Sequence, residues 1–438
     1  MGKIAIVGKP NVGKSTLFNA LTNKNKSLVL DLPGTTRDRV FEYASLGDKQ
    51  ALLIDTGGFE NEGELAESIN EQVKFAIDAS DAVIVVFDAT TPVSSADEEI
   101  FRYVKRSNKP YVCVVNKSDK KNREFFYDYY RFGDLIEISA SHRKNLDKLK
   151  GVLSRFIEDE KKEEYDARVA IVGRSNVGKS SLLNAILRQN RSVVSDSVGT
   201  TTDSVDTPFE FEGKKYLLVD TAGIRRKSRT RSSLDKLSSI FSIFSIERAD
   251  IVIFVIDASE GITSMDRQIG DLIVKKHKGV VIALNKWDLV ERKTTVARYE
   301  KVLKESMPYL AFAPVVATSA LEARNTVKVI RSLERVRRWC NTRIPTPKLN
   351  ADLHRIIRQN APFSKRGKEI KLKYITQVDV NPPHFVIFTN RPEEIEENYK
   401  RYVRNSIYKL YGFEGCAIKI TYRTDKGDSD VPGDYQKN

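Results

Sequence analysis

Short runs of aliphatic and β-branched residues punctuate the first third of the chain: Lys3-Ile4-Ala5-Ile6-Val7, Ala51-Leu52-Leu53-Ile54, Ala82-Val83-Ile84-Val85-Val86-Phe87 and Tyr111-Val112-Cys113-Val114-Val115. Longer stretches with helical spacing separate them. Apolar runs without alternation belong to strands buried on both faces, so the pattern predicts a mostly parallel sheet with helices on both sides, an α/β domain. The order then returns in Arg168-Val169-Ala170-Ile171-Val172, Tyr216-Leu217-Leu218-Val219, Ile251-Val252-Ile253-Phe254-Val255-Ile256 and Val280-Val281-Ile282-Ala283-Leu284. Between the copies, Glu158-Asp159-Glu160-Lys161-Lys162-Glu163-Glu164 has no apolar face and reads as a solvated linker. A basic helix around 325–341 closes the second copy. Ile344-Pro345-Thr346-Pro347 follows as a helix-breaking boundary, beyond which the alternation stops. The remainder reads helix (351–359), strand (370–377), strand (384–389), helix (392–410), strand (417–422), a small α+β layer. The expected division is 1–157 first domain, 158–166 charged linker, 167–345 second domain, 346–424 third domain and 425–438 flexible tail.

Length agrees, since 438 residues suit about three domains. With 73 basic against 59 acidic residues the net charge is +14, which favours a polyanionic partner, nucleic acid or anionic lipid. No apolar stretch reaches the length of a membrane span, and the chain enters a strand at once with no room for a signal peptide, so a cytoplasmic protein without a membrane partner is expected. Cys113, Cys340 and Cys416 are few and far apart and read as small buried or incidental thiols, not a zinc site. His142, His277, His354 and His384 show no metal spacing and are expected in surface or packing roles.

The chemistry lies at the strand ends. Gly8-Lys9-Pro10-Asn11-Val12-Gly13-Lys14-Ser15 recurs as Gly173-Arg174-Ser175-Asn176-Val177-Gly178-Lys179-Ser180, an offset of 165 (173 − 8). Each copy follows an apolar strand and opens a helical stretch at Thr16 or Ser181, the context in which backbone N–H groups cradle phosphates. Lys14 and Lys179 are expected to bridge the β- and γ-phosphates, and Ser15 and Ser180 to ligate Mg²⁺. The same offset carries Gly34-Thr35-Thr36 onto Gly199-Thr200-Thr201, and Asp55-Thr56-Gly57-Gly58 onto Asp220-Thr221-Ala222-Gly223. Asp55 and Asp220 end strands where a carboxylate reaches Mg²⁺ through water, Gly58 and Gly223 offer an N–H to the γ-phosphate, and Thr36 and Thr201 are expected as further Mg²⁺ ligands.

Asn116-Lys117-Ser118-Asp119 and Asn285-Lys286-Trp287-Asp288 follow the next apolar strands, at an offset of 169 (285 − 116). A carboxylate there accepts from the guanine N1–H and 2-amino group, with Asn near N7 and O6; adenine would leave it unpaired. Ser139-Ala140 and Ser319-Ala320, now 180 apart (319 − 139), are expected to offer a backbone N–H to O6. Two guanine sites follow, each binding GTP or GDP.

This ordered set resembles translation-factor-class GTPases, and two such domains plus a small C-terminal unit resemble the bacterial ribosome-assembly GTPase family called Der or EngA over essentially the whole chain. Matching segments include Gly34-Thr35-Thr36-Arg37-Asp38, residues 220–226, and Tyr399, Arg401 and Tyr402. The resemblance implies two tandem P-loop GTPase domains followed by a KH-like domain, hydrolysis of GTP to GDP and phosphate, and assistance to large ribosomal subunit assembly with binding to rRNA. A monomer is expected. Lys14, Thr36, Gly58, Lys179, Thr201 and Gly223 would stabilise charge while water attacks, with no protein nucleophile. Phe59 and Ile224 stand where a Ras-like enzyme uses a water-orienting Gln, and neither can position water. Asn11 and Asn176 resemble asparagines of GTPases in which K⁺ bridges the phosphates; the competing role is a turn-stabilising asparagine. Thr202 stands where the first domain has Arg37, so a role of that arginine is not shared. The alternatives are an RNA-binding structural module in which one domain alone hydrolyses GTP, and a GTPase of another RNA-related process.

Between 324 and 378 stand 15 Lys and Arg against 3 Asp and Glu, a net of +12 (15 − 3), either a phosphate-binding surface or a solvated face. A second cluster, Arg225-Arg226-Lys227-Ser228-Arg229-Thr230-Arg231, follows Gly223, where a nucleotide switch could expose it. Ser364-Lys365-Arg366-Gly367 lacks the Gly-x-x-Gly clamp of ordinary KH domains, which favours shape and phosphate recognition or a regulatory docking role over base reading. Tyr399, Tyr402, Tyr408 and Tyr411 fall on one helix face and are expected in the core, not stacked on bases.

Overall fold

A computed structural model of the chain describes residues 2–22, 41–57, 71–120, 125–157, 165–189, 206–219, 245–291, 293–362 and 369–424. The linker 158–164, the Ser364-Lys365-Arg366-Gly367 segment and the tail 425–438 lie outside them. The chain divides into two compact units, Met1–Glu163 and Glu164–Asn438.

In the first unit, β1 (Gly2–Val7), α1 (Lys14–Leu21), β2 (Phe41–Leu46), β3 (Lys49–Asp55), α2 (Glu71–Ala79), β4 (Ala82–Asp88), α3 (Ser95–Arg106), β5 (Tyr111–Asn116), β6 (Leu135–Glu137) and α4 (Leu146–Phe156) succeed one another. They form one sheet of order β2-β3-β1-β4-β5-β6, in which β2 runs antiparallel to β3 and the other pairs are parallel. Every residue of β1 and β4 is buried, as continuous apolar runs between two helix layers require. The β2–β3 hairpin turns through Gly47 at φ +71°, backbone that glycine adopts without strain. α3 opens on a capping box in which Ser94 and Asp97 satisfy each other's backbone N–H groups.

The second unit repeats the plan: β7 (Ala167–Val172), α5 (Lys179–Gln189), β8 (Thr207–Phe211), β9 (Lys214–Leu218), β10 (Ile251–Asp257), α6 (Ser264–Lys275), β11 (Gly279–Asn285), α7 (Val296–Ser306), β12 (Val315–Ala317) and α8 (Thr326–Cys340). Its sheet order is β12-β11-β10-β7-β9-β8. Thr263 and Asp266 form the matching capping box on α6.

The α+β layer follows as α9 (Thr346–Gln359), β13 (Leu372–Asp379), β14 (His384–Thr389), α10 (Glu397–Tyr411) and β15 (Lys419–Arg423). β13 is antiparallel and β15 parallel to β14. The element order is the expected one, with two differences. α9 begins at Thr346, within the segment expected to break a helix, because Pro347 sits in the first turn, where its missing N–H has no intrahelical partner to lose. Pro392–Glu394 is a separate 3₁₀ turn, and α10 starts only at Glu397.

This layer shares one hydrophobic core with the second nucleotide-binding domain. Val336 and Cys340 of α8 pack with Leu349, Leu353, Phe413 and Cys416. Gly415, at φ +77°, lets the 412–416 loop lie against α8: a Cβ there would sit 2.2 Å from Val336 Cγ2 and 2.9 Å from Val280 O. Val280 N donates to Gly415 O at 2.7 Å, which extends the hydrogen bonding of β11. The four tyrosines of α10 and its end turn inward as expected. Their hydroxyls donate to Asn360 O, Ile356 O, Cys416 O and the Asp352 carboxylate at 2.9, 3.0, 2.6 and 2.6 Å.

A buried polar knot ties α8 to β9. Tyr216 Oη donates to Glu334 Oε2 at 2.6 Å, Arg337 gives two bonds to the same carboxylate at 2.7 and 3.0 Å, and Arg338 Nε adds one at 2.9 Å. Arg337 lies 3.8 Å from Asp166, whose carboxylate also accepts from Lys215 N at 2.9 Å.

Candidate functional site: two nucleotide pockets

Each P-loop leaves the C-terminal end of one of the two central strands of its sheet, β1 or β7, and turns into a helix with no acidic residue in its first turn. The glycines of the turn are dictated by what passes beside them. A Cβ on Gly8 would meet Val86 O at 2.3 Å, and one on Gly13, at φ +93°, would meet Asn116 Nδ2 at 2.4 Å. In the second pocket the distances are 2.3 Å from Gly173 to Val255 O and 2.1 Å from Gly178, at φ +95°, to Asn285 Nδ2. Asn11 and Asn176 occupy the left-handed region at φ +64° and +63°, which asparagine tolerates better than most residues, so each has a turn-forming role. Both are exposed.

Lys14 Nζ donates to Gly8 O and Lys9 O at 3.0 and 2.9 Å, and Lys179 Nζ to Gly173 O and Arg174 O at 2.8 and 2.5 Å. The ammonium is thereby held inside the loop it serves. The next residues, Ser15 and Thr16, are exposed on the first turn of α1, as Ser181 is on α5; Ser180 is half-buried. Asp55 is buried at the end of β3 and accepts from Gly57 N at 2.9 Å. A Cβ on Gly57 would lie 2.8 Å from Ser15 Oγ and 3.1 Å from Asp55 Oδ1, so a hydroxyl and a carboxylate converge on one point beside the lysine. Two hard oxygen donors of this kind fit a partly hydrated Mg²⁺.

The base loops are cross-linked to the P-loops. Asn116 Nδ2 donates to Val12 O at 2.9 Å while its Oδ1 accepts from Ala140 N at 3.0 Å; Asn285 does the same with Val177 O and Ala320 N at 2.7 and 2.9 Å. The asparagine thus ties three loops together, and the Ala140 and Ala320 N–H groups expected at O6 are engaged by it. Lys117 Nζ lies 2.6 Å from Asp88 Oδ2 and donates to Asn11 O at 2.8 Å; Lys286 pairs with Asp257 at 2.6 Å. Burial pushes the Asp88 and Asp257 carboxyls up, but bonds from these lysines and from Thr90 and Ser259 outweigh it and hold both below the ordinary range. Asp119 accepts from Ser139 Oγ at 2.6 Å, which with the nearby His142 lowers it. Ser139 and Ser319 are fully buried; Asp288 is exposed.

Asp88, Asp257, and the pairs Lys9–Asp97 and Arg174–Asp266, at 2.9 and 3.6 Å, stand outside the sequence motifs. Their signal was present: 257 − 88 and 266 − 97 both equal 169, the offset of the Asn-Lys-x-Asp pair. Thr36, Gly58, Phe59, Thr201, Asp220, Gly223, Ile224 and the 225–231 basic cluster lie outside the described residues.

The basic stretch is less free than its sum implies. Arg331 pairs with Glu212, Arg335 with Glu414, Arg355 with Asp352 and Lys371 with Glu369, at 2.8 to 3.2 Å. Lys328, Arg343, Lys348 and Arg358 are exposed outside those pairs. Cys113, Cys340 and Cys416 are buried and unlinked, as expected, and among the described residues no group of His, Cys, Asp and Glu could hold a metal ion. Among them, too, no helix is long and apolar enough to cross a membrane.

A P-loop whose lysine, hydroxyl and carboxylate meet beside an Asn-Lys-x-Asp loop defines a guanine-nucleotide-binding protein of the P-loop GTPase class; the second domain repeats the lysine, the hydroxyl and the Asn-Lys-x-Asp loop, its Asp220 lying outside the described residues. A family model described as 50S ribosome-binding GTPase matches residues 3–117 and again 168–286, and one described as the KH-domain-like C-terminal part of EngA bacterial GTPase enzymes matches 343–423. The GTPase Der of Caldanaerobacter subterraneus subsp. tengcongensis is 40% identical over 95% of this chain and 97% of its own, and that of Lachnoclostridium phytofermentans is 40% identical over 97% and 98%. A solved structure of Era with MgGDPNP and nucleotides 1506-1542 of 16S ribosomal RNA aligns over 97% of this chain and 92% of its own at 17% identity, with a TM-score of 0.30. The chain belongs to the GTPase Der family and is a GTPase with two G domains and a C-terminal KH-like domain.

Proposed function

We propose that both G domains bind and hydrolyse GTP, and that the nucleotide state adjusts the fit of the chain to the large ribosomal subunit and its rRNA during assembly. The domain division 1–157, 167–345 and 346–424 belongs to this reading. The observation that carries it is the repetition of the same ties in both domains: the P-loop lysine to its own loop, and the base-loop asparagine to the P-loop carbonyl and to the Ala140 or Ala320 N–H. The match to a model described as 50S ribosome-binding GTPase supports the ribosomal partner.

In each site the P-loop N–H groups and the lysine hold the β- and γ-phosphates, Ser15 and Ser180 orient the metal, Asp55 and Asp220 hold its water, and Asp119 and Asp288 accept from guanine. Thr36, Gly58, Thr201 and Gly223 complete the γ-phosphate side. Mg²⁺ supplies positive charge against the transferring phosphoryl group. Asn11 and Asn176 are exposed at the rim of the P-loops, where their amide oxygens are available to a K⁺ ion, and K⁺-stimulated turnover is part of this reading.

Co-sedimentation with purified ribosomal subunits in GDP, GTP and a non-hydrolysable analogue tests the partner. Binding to the large subunit that changes with nucleotide and falls steeply with salt is expected; absence of binding in every state refutes the ribosomal reading. Turnover by Lys14→Ala and Lys179→Ala chains separates two working sites from one. Equal rates in K⁺ and Na⁺ would remove the monovalent ion.

A further inference from the structure

The two guanine sites differ in the loop beside the base carboxylate. The loop after β6 runs Ser139-Ala140-Ser141-His142, and its counterpart after β12 runs Ser319-Ala320-Leu321-Glu322. Both fold alike, with His142 N donating to Ser139 Oγ and Glu322 N to Ser319 Oγ, each at 3.3 Å. Their side chains part company. His142 Nδ1 lies 3.5 Å from Asp119 Oδ2, while Ser139 Oγ donates to the other oxygen, Oδ1, at 2.6 Å. The carboxylate that must face guanine is therefore approached on both oxygens from its own loops. Glu322 turns instead to Arg324, and as an anion it has nothing to donate to Asp288.

We propose that His142 is an affinity-determining residue of the first guanine site, competing with the base for Asp119 when its imidazole carries a proton, and that the second site has no such control. This rests on the reading of Asp119 as the acceptor for guanine. His142 Nδ1 is 3.1 Å from both Ser139 Oγ and Ser141 Oγ. In the neutral ring, with its proton on Nε2, Nδ1 accepts from the Ser141 hydroxyl, since the Ser139 proton is already given to Asp119, and Oδ2 stays open to the guanine N1–H or 2-amino group. In the charged ring Nδ1 carries a proton and donates to Oδ2, so a base donor must displace an ion pair. The other charged groups around this pair are Lys120 beside Asp119, and Arg143 and Lys144 on the histidine loop. The competition belongs to the charged ring alone, so it appears as nucleotide loosening on acidification. His142 is 69% exposed, so the solvent-screened pair is expected to shift affinity only roughly two- to five-fold.

The test uses the full chain carrying Lys179→Ala, which leaves the first site to report, titrated with a fluorescent N-methylanthraniloyl-GDP from pH 8 to 5.5. The dissociation constant should rise on acidification more steeply than in the same chain with His142→Gln added, by a factor of roughly two to five at pH 5.5, while the two agree within about two-fold at pH 8. Protonation of the nucleotide phosphate is common to both, so the difference isolates the imidazole. The reciprocal chain with Lys14→Ala should follow the shallow profile of His142→Gln, and Glu322→His placed in it should steepen that profile. Superimposable pH profiles with and without His142→Gln overturn the proposal. Asp119→Asn tells this failure from that of the underlying reading: retained GDP affinity would mean Asp119 is not the base acceptor, whereas its loss alongside superimposable profiles refutes His142 alone.

Discussion

Glu334→Gln tests the polar knot that joins the KH-like layer's supporting helix to the sheet of the second G domain. Burial alone would push the Glu334 carboxyl up, but the bonds from Arg337, Tyr216 and Arg338 more than offset it and hold it at about 2, against an ordinary 4.5. That gap, 4.5 − 2, corresponds to about 3 kcal/mol of folding stability at neutral pH. A depressed carboxylate contributes fully above its unfolded pKa and loses the contribution as pH falls toward the folded one. The same relation leaves roughly 2 kcal/mol at pH 3.5. Glutamine keeps the shape and can accept the Tyr216 hydroxyl but gives up the charge, which leaves Arg337, 18% exposed, short of its counter-ion. The expected loss is therefore about 2–4 kcal/mol at pH 7, shrinking by about 1 kcal/mol at pH 3.5. Urea unfolding followed by tryptophan emission reads it cleanly, since both tryptophans, Trp287 and Trp339, belong to the second unit. An unchanged midpoint at pH 7 would refute the assignment of stability to this carboxylate, and an equal loss at both pH values would refute its electrostatic origin.

Gly13→Ala and Gly178→Ala should each abolish nucleotide binding at their own site, because the added carbon meets the Asn116 or Asn285 amide at 2.4 or 2.1 Å; site-specific titration with fluorescent GDP checks this. Gly415→Ala forces alanine into φ +77° and against Val336 at 2.2 Å, and should cost about 2–4 kcal/mol in urea unfolding of the second unit. Tyr402→Phe removes one inward hydrogen bond, to Ile356 O, and should cost about 1 kcal/mol with RNA affinity unchanged in a filter-binding assay; a large fall in affinity would instead place this ring on a base.

Much of the nucleotide chemistry was legible in the sequence because it is written in contiguous residues. A strand, a glycine turn and a helix start determine their own backbone geometry locally, so Gly8 to Ser15 and Gly173 to Ser180 announce a phosphate cradle without knowledge of the rest of the chain. The inward direction of the α10 tyrosines was equally a matter of helical spacing. Boundaries were harder: proline disfavours helix in the residue before it yet is welcome in a first turn, so the Ile344-Pro345-Thr346-Pro347 segment could end one element or begin the next, and packing of Leu349 and Leu353 chose the latter.

The sequence by itself determined that there are two guanine-nucleotide domains and a third α+β layer. Only the tertiary structure decided that this layer shares a core with the second domain, that Asn116 and Asn285 serve as ties between loops, that Glu334 meets Tyr216 from 118 residues away, and that His142 stands over Asp119. Such pairings depend on where the folded chain returns to itself, and hydrophobic periodicity, which reports only which face of an element is buried, carries no information about the partner that buries it.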